Sequence, residues 1–344
     1  MSSLRIDVNH RLSHFKQPAG TSRGVYTTRH SWMVTVRDLV TGRTGVGECA
    51  PLPDLSCDAL HDYEARLRDV CKLVEMMGTI DTLMLRPYPS MLFGLETAFL
   101  NMEKGGNLLF DTPFSRGEEG IPINGLVWMG TAEEMTRRVE EKLMAGFRCV
   151  KLKIGSIDFE QELEIIRGIR ERFDANVIEL RLDANGAFAP ENAMRKLEQL
   201  AKYDIHSIEQ PIRQRQWREM ADICRNSPIP VALDEELIGV NIPEMKRQLL
   251  DEILPAYIIL KPSLHGGMCG CREWIDMAKK RGIGSWMTSA LELNVGLNAI
   301  AQFAAHIYGP SITMPQGLGT GQLFTDNIPM PLIIRGEKLL MDVS

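Results

Sequence analysis

The chain has 344 residues, 44% hydrophobic and 24% charged, with 39 basic and 45 acidic side chains and a net charge of -6. That composition excludes a disordered chain, because a globular chain of this length buries a full core. No basic stripe and no apolar run near the ~18 residues of a membrane helix are found, so neither nucleic acid nor a membrane is the expected partner.

Residues 1–16 alternate charged and apolar side chains and lack the apolar core of a secretory signal. Seven cysteines, an odd number, are spread along the chain. Cys269 and Cys271 flank a glycine, but no second pair stands nearby to complete a zinc site. Reduced thiols in a cytoplasmic protein are therefore expected.

Residues 1–120 predict a small α+β domain. Residues 32–38 read as a strand, 40–45 as a turn and 46–50 as the partner strand, with helices around 60–77 and 93–102. From Pro122 onward, strands and helices alternate without a break. Strands are expected at 122–128, 149–154, 177–183, 206–209, 231–234, 256–261, 284–289 and 311–314. Between them the helical faces keep Met135, Val139 and Leu143 on one side, then Phe159, Leu163, Ile166, Ile169 and Phe173. The period of about 24 residues is that of one βα unit. Eight such units with no nucleotide-binding glycine motif after the first strand favour a β/α barrel over residues 121–316. The tail, 317–344, reads as a loop plus a last strand that returns to the first domain.

Five consecutive strands end in charge: Lys151-Leu-Lys153, Asp183-Ala-Asn185, Glu209, Asp234 and Lys261. Side chains alternate across a strand, so Lys151 and Lys153 share one face while Leu152 and Ile154 share the other. With the apolar faces under the helices, the charges point into the barrel at its C-terminal mouth, where barrel enzymes keep their active sites. Steps of 26, 25 and 27 residues separate Asp183, Glu209, Asp234 and Lys261. Each step is one βα unit, which places the charges at one height. Three converging carboxylates repel unless a cation sits among them, and an all-oxygen set suits Mg²⁺ or Mn²⁺. Such an ion would hold a substrate carboxylate while either lysine moves its α-proton. Lys151 beside Lys153 is expected to lower the working lysine toward ~7–8. Ordinary ion-paired barrel residues are the rival reading, which suits one strand end better than five.

This arrangement resembles the enolase superfamily, and within it the muconate-lactonising subgroup with its Lys-x-Lys motif. The resemblance implies a modified (β/α)7β TIM barrel covered by an N-terminal α+β capping domain, residues 1–120 completed by the tail 317–344. It implies Asp183, Glu209 and Asp234 as metal ligands, Lys153 as general base and Lys261 as the opposing lysine. Within the subgroup, further motifs resemble the o-succinylbenzoate synthase family. They are Gly20-Thr-Ser-Arg23-Gly24 and Gly47-Glu48-Cys-Ala-Pro51-Leu-Pro53 in two cap loops, Phe93-Gly-Leu-Glu96-Thr-Ala98, Ser289-Ala-Leu-Glu292, and Gly317-Leu-Gly319-Thr-Gly321. That family implies dehydration of a cyclohexadiene carboxylate bearing a succinyl group, a step of menaquinone biosynthesis.

Arg23, Asn185, Ser289 and Glu292 are the substrate-binding candidates, although Arg23 equally suits a solvated loop. Leu293 stands where relatives carry a small polar residue. A racemase of N-succinylamino acids, a dipeptide epimerase, a cycloisomerase or a non-catalytic ligand-binding barrel are the alternatives. The epimerases place an Asp-x-Asp pair where this chain reads Thr313-Met-Pro-Gln-Gly317. His265 and His306 do not stand at strand ends and are expected to be structural. The expected partner is a small carboxylate, and a homo-oligomer is compatible with the sequence.

Overall fold

A computed structural model describes residues 3–21 and 24–343. The chain opens with an antiparallel sheet of β1 (Leu4–Thr21), β2 (Gly24–Asp38) and β3 (Thr44–Cys49). The β2–β3 turn forms because the Asp38 carboxylate accepts from Val40 N at 2.9 Å and Thr41 Oγ1 at 2.7 Å. Gly42 supplies the left-handed residue, φ +73°, as such a turn requires. Helix α1 (Tyr63–Met77) buries Leu67, Val70, Cys71 and Val74 on one face. Helix α2 (Pro89–Lys104) lies directly on β3. A Cβ on Gly47 would stand 1.8 Å from the Gly94 carbonyl oxygen, so only glycine permits that approach.

The second half alternates as the periodicity predicts. After a two-residue β4 (Ile121–Pro122), the parallel strands are β5 (Gly125–Val127), β6 (Cys149–Lys153), β7 (Glu179–Asp183), β8 (Ser207–Glu209), β9 (Val231–Leu233), β10 (Tyr257–Leu260) and β11 (Gly284–Met287). They pair in sequence order across one sheet. Between and after them run α3 (Ala132–Met144), α4 (Phe159–Arg172), α5 (Pro190–Leu200), α6 (Trp217–Asn226), α7 (Pro243–Ile253), α8 (Gly267–Lys279) and α9 (Asn294–Tyr308). Thr131 starts α3 with a reciprocal capping box to Glu134, satisfying two orphan donors. Leu152, Ile154, Leu180 and Leu182 pack outward into the core shared with the helices.

The eighth strand differs from expectation. Residues 311–314 form no strand, being bracketed by Pro310 and Pro315, whose nitrogens cannot donate to a ladder. Closure falls instead to single bridges, Ile123 with Gln316 and Thr288 with Gly317. The Gln316 amide donates to Pro122 O at 2.8 Å, and its side-chain oxygen accepts from Met287 N at 2.7 Å. The expected first strand is likewise split, because β4 turns away to pair with the tail.

That tail divides between two neighbours. Lys16 N donates to Leu323 O, Thr325 N donates to His14 O, and the Phe15 and Phe324 rings stand 4.5 Å apart, all against β1. Farther on, β12 (Leu332–Arg335) and β13 (Lys338–Met341) form a hairpin whose second strand pairs with β4. Among the described residues, no helix is long and apolar enough to cross a membrane.

Candidate active site

The register of the sheet aligns the charges. Lys153 is level with Asp183, and Asp183 with Glu209; Ala232 is level with Glu209, two residues before Asp234. Lys261 follows β10, which lies four strands from β6 and so across the barrel. The strand-end residues therefore meet in one layer at the C-terminal mouth.

Lys151 Nζ lies 2.8 Å from Asp183 Oδ2 and 2.5 Å from Glu209 Oε2. Lys153 Nζ donates to Asp183 Oδ2 at 3.0 Å and to Asn185 Oδ1 at 2.7 Å. Asn185 sits in the left-handed region, φ +43°, and passes the contact on by donating to Glu235 Oε1 at 2.8 Å. Lys261 Nζ donates to Asp234 Oδ2. Behind this layer, the buried His265 accepts the Lys261 amide on Nδ1 at 2.9 Å, and burial lowers its pKa to about 3. It is a neutral ring that shapes the turn after β10, the structural role expected of it.

Electrostatics distinguish the members. Burial alone would lower Lys151, but Asp183 and Glu209 outweigh it and hold the ammonium above its ordinary range. Lys261 is also raised, burial being overcome by Asp234 and Glu209. At both positions the facing carboxylates dominate the environment and outweigh burial and the neighbouring ammonium. Asp183 resists burial and is held low by Lys151 and Lys153. Glu209 goes the other way, pushed well up by burial and by Asp183. Burial and the adjacent Asp234 raise Glu235 to about 7.

Three lysine side chains thus face four carboxyl groups, and the balance is incomplete. Among the described residues, Glu209 Oε1, Asp234 Oδ1 and Glu235 Oε2 are buried without a hydrogen-bond partner. Buried acceptors of this kind call for a donor or a cation. Among the described residues no three His, Cys, Asp or Glu side chains already form a metal cage; Lys151 draws Asp183 and Glu209 aside, and Lys261 draws Asp234. The hard-oxygen donors with unsatisfied atoms still fit a magnesium-like ion.

The mouth opens into a cavity of ≈ 400 Å³ that reaches Lys153, Lys261, Asn185 and Ser289. Leu52 and Leu55 from the loop after β3 form part of its wall, and Trp286 another part. Ser289 presents its hydroxyl there, paired with Thr320 Oγ1 at 2.6 Å. Glu292 does not line the cavity. It is fully buried behind the wall, accepting from Ser263 Oγ and from Ala290 N. The turn through Leu291, φ +62°, swings it away. Arg23 lies outside the described residues. Glu235 and Trp286 escaped the sequence reading; Glu235 was signalled only by following Asp234 directly.

The comparisons agree with this geometry. Residues 134–328 match the family described as enolase C-terminal domain-like, and residues 22–102 match the MenC N-terminal domain. An o-succinylbenzoate synthase of Desulfotalea psychrophila is 45% identical over 98% of this chain and 99% of its own. The crystal structure of MenC from that organism superposes with a TM-score of 0.85 at 41% identity, covering 98% and 99%. An L-Ala-D/L-Glu epimerase of Bacillus subtilis is 26% identical over 89% of this chain and 85% of its own. A dipeptide epimerase of Enterococcus faecalis, complexed with Mg and a dipeptide, shares the fold with a TM-score of 0.81 at 19% identity, covering 99% and 97%. With this identity over nearly its full length, and with the fold and lysine pair in place, the chain belongs to the o-succinylbenzoate synthase family of the enolase superfamily.

Proposed function

We propose that the protein is a dehydratase that converts a cyclohexadiene carboxylate bearing a succinyl group into o-succinylbenzoate. The observation that carries this reading is the pair Lys153 and Lys261, reaching one cavity from opposite strands with unsatisfied carboxylates between them. In this reading Lys153, as a free amine, takes the α-proton and becomes an ammonium. It then returns that proton to the departing hydroxyl; the carbon–oxygen bond breaks, water leaves and the ring becomes aromatic. Lys261 stays charged and favours the negative charge that gathers on the substrate carboxylate. Asp183, Glu209 and Asp234 would hold Mg²⁺, which when bound offsets part of that same charge. Lys151, paired with Asp183 and Glu209, helps to keep Asp183 ionised. Asn185 and Ser289 are proposed to orient substrate. Residues 1–120 with part of the tail would act as the cap, and 121–316 would carry the chemistry.

The test offers the purified protein and Mg²⁺ the cyclohexadiene substrate and follows the ultraviolet absorbance of the aromatic product, with N-succinylamino acids run in parallel by polarimetry. Aromatic product is expected. Brisk racemisation without it would transfer the assignment to a racemase, which the same lysine pair could serve by two-base proton transfer. Segment 311–317 contains no carboxylate for a substrate ammonium, and an unpaired buried charge there would be costly.

A further inference from the structure

Arg29 on β2 is 1% exposed, yet it makes no ion pair within 4.0 Å among the described residues. All five of its N–H donors go to backbone carbonyl oxygens on three segments. Nε donates to Leu291 O at 3.0 Å, and Nη2 donates to Ala290 O at 3.2 Å and Ala50 O at 2.6 Å. Nη1 donates to Pro51 O and, at 3.3 Å, to His30 O of its own strand. A guanidinium has five donors in a rigid fork and no more, so its capacity is fully used. The Arg29 fork itself does not line the cavity, but both loops it grips do, through Leu52 and Leu55 on one side and Ser289 and Leu291 on the other.

The second loop needs such a grip. Leu291 is in the left-handed region, which a branched side chain rarely adopts. Its far end is held by another cap residue: Glu48 accepts from Leu293 N and Gly296 N, each at 2.8 Å. The first loop has a second tie as well, from Tyr26 Oη to Pro53 O at 2.9 Å.

We propose that Arg29 is a positioning residue that clamps the cap loop 50–55 to the barrel loop 289–291 and thereby sets the width of the substrate cavity. It acts through Ser289, Leu52 and Leu55, and touches neither substrate nor the acid–base lysines. The proposal rests on the dehydratase reading for its kinetic consequence but not for its structural one. Lysine cannot replace the fork, since a single ammonium reaches one point only.

The test is Arg29→Lys, read two ways. Amide hydrogen exchange without substrate should quicken by roughly tenfold or more in residues 50–56 and 289–293 and stay unchanged elsewhere. With the cyclohexadiene substrate, KM should rise by about tenfold while kcat stays within roughly threefold and its pH profile does not move, as expected when positioning of the non-reacting part is lost. Unchanged exchange in both segments, exchange that quickens evenly through the molecule, or an unchanged KM would overturn the proposal. If wild-type protein forms no aromatic product, the dehydratase reading fails and the exchange measurement still decides. Should Arg29→Lys not fold, native-state exchange of the wild-type protein in mild denaturant decides: residues 50–56 and 289–293 opening together as one unit supports the clamp, and the two segments opening independently overturns it.

Discussion

Two regions of the molecule bury carboxylates, and they do so in opposite ways. At the interface between cap and barrel, Glu48 accepts from the first turn of α9 and Glu96 accepts from Met268 N at 2.5 Å and Cys269 N at 3.0 Å at the start of α8. Each acceptor meets orphan amides at the positive end of a helix dipole. In the barrel mouth, carboxylates are balanced against lysines across strands, and Glu209 Oε1 and Asp234 Oδ1 find no donor among the described residues. Buried charge that finds all its partners within the fold serves the fold. Buried charge that does not is kept for something the fold does not contain.

The sharpest way to break this comparison is in the mouth. Lys153→Ala and Lys261→Ala are each expected to lower kcat by more than about 10³-fold, the scale of a lost acid–base or charge-stabilising group, while the thermal midpoint stays near that of wild type. A variant with near wild-type turnover would strip the lysine of its role. Next, a chelator should abolish turnover and Mg²⁺ restore it. Glu209→Gln should weaken the Mg²⁺ requirement curve by about 10²-fold without lowering Tm, because burial and Asp183 already disfavour the ionised carboxylate at that position in the metal-free protein. Full activity in chelator would remove the ion from the reading.

The smaller effect belongs to the interface and reads out in pH. Burial raises Glu48 and Glu96 to about 7 despite their amide donors, with Arg29 and Glu292 facing the first and Arg272 and Cys269 facing the second. Their folded pKa exceeds the unfolded value of 4.5, so the folded protein holds more protons and stability falls as pH rises through that window. Above it, each ionised glutamate costs up to about 3 kcal/mol relative to its neutral form. Tm by calorimetry should therefore drop between pH 5.5 and 8, and Glu96→Gln should raise Tm at pH 8, flatten the slope and leave kcat unchanged. A pH-independent Tm would show that the amides fully compensate burial.

The charged layer proposed to be catalytic was legible because strand periodicity and βα spacing are local properties: Lys151, Lys153, Asp183, Glu209, Asp234 and Lys261 announce themselves at strand ends. Long-range decisions were not. Nothing near Arg29 indicates that it reaches Leu291, 262 residues away in sequence. Ser289-Ala-Leu-Glu292 reads the same whether its glutamate faces substrate or core; the backbone turn at Leu291 decides. The last strand falls elsewhere because Ser311-Ile-Thr-Met314, with its β-branched pair, resembles a strand, whereas a glutamine side chain and two bridges complete the ring.

That completion has a consequence for how the protein is made. The residues that join β5 to β11 leave the ribosome only after every other stave is already synthesised, so the nascent chain passes through an open sheet with two bare edges. Unpaired edges invite other chains, and a version ending before Gln316 is expected to aggregate during expression even though it contains every lysine and acid of the proposed reaction centre.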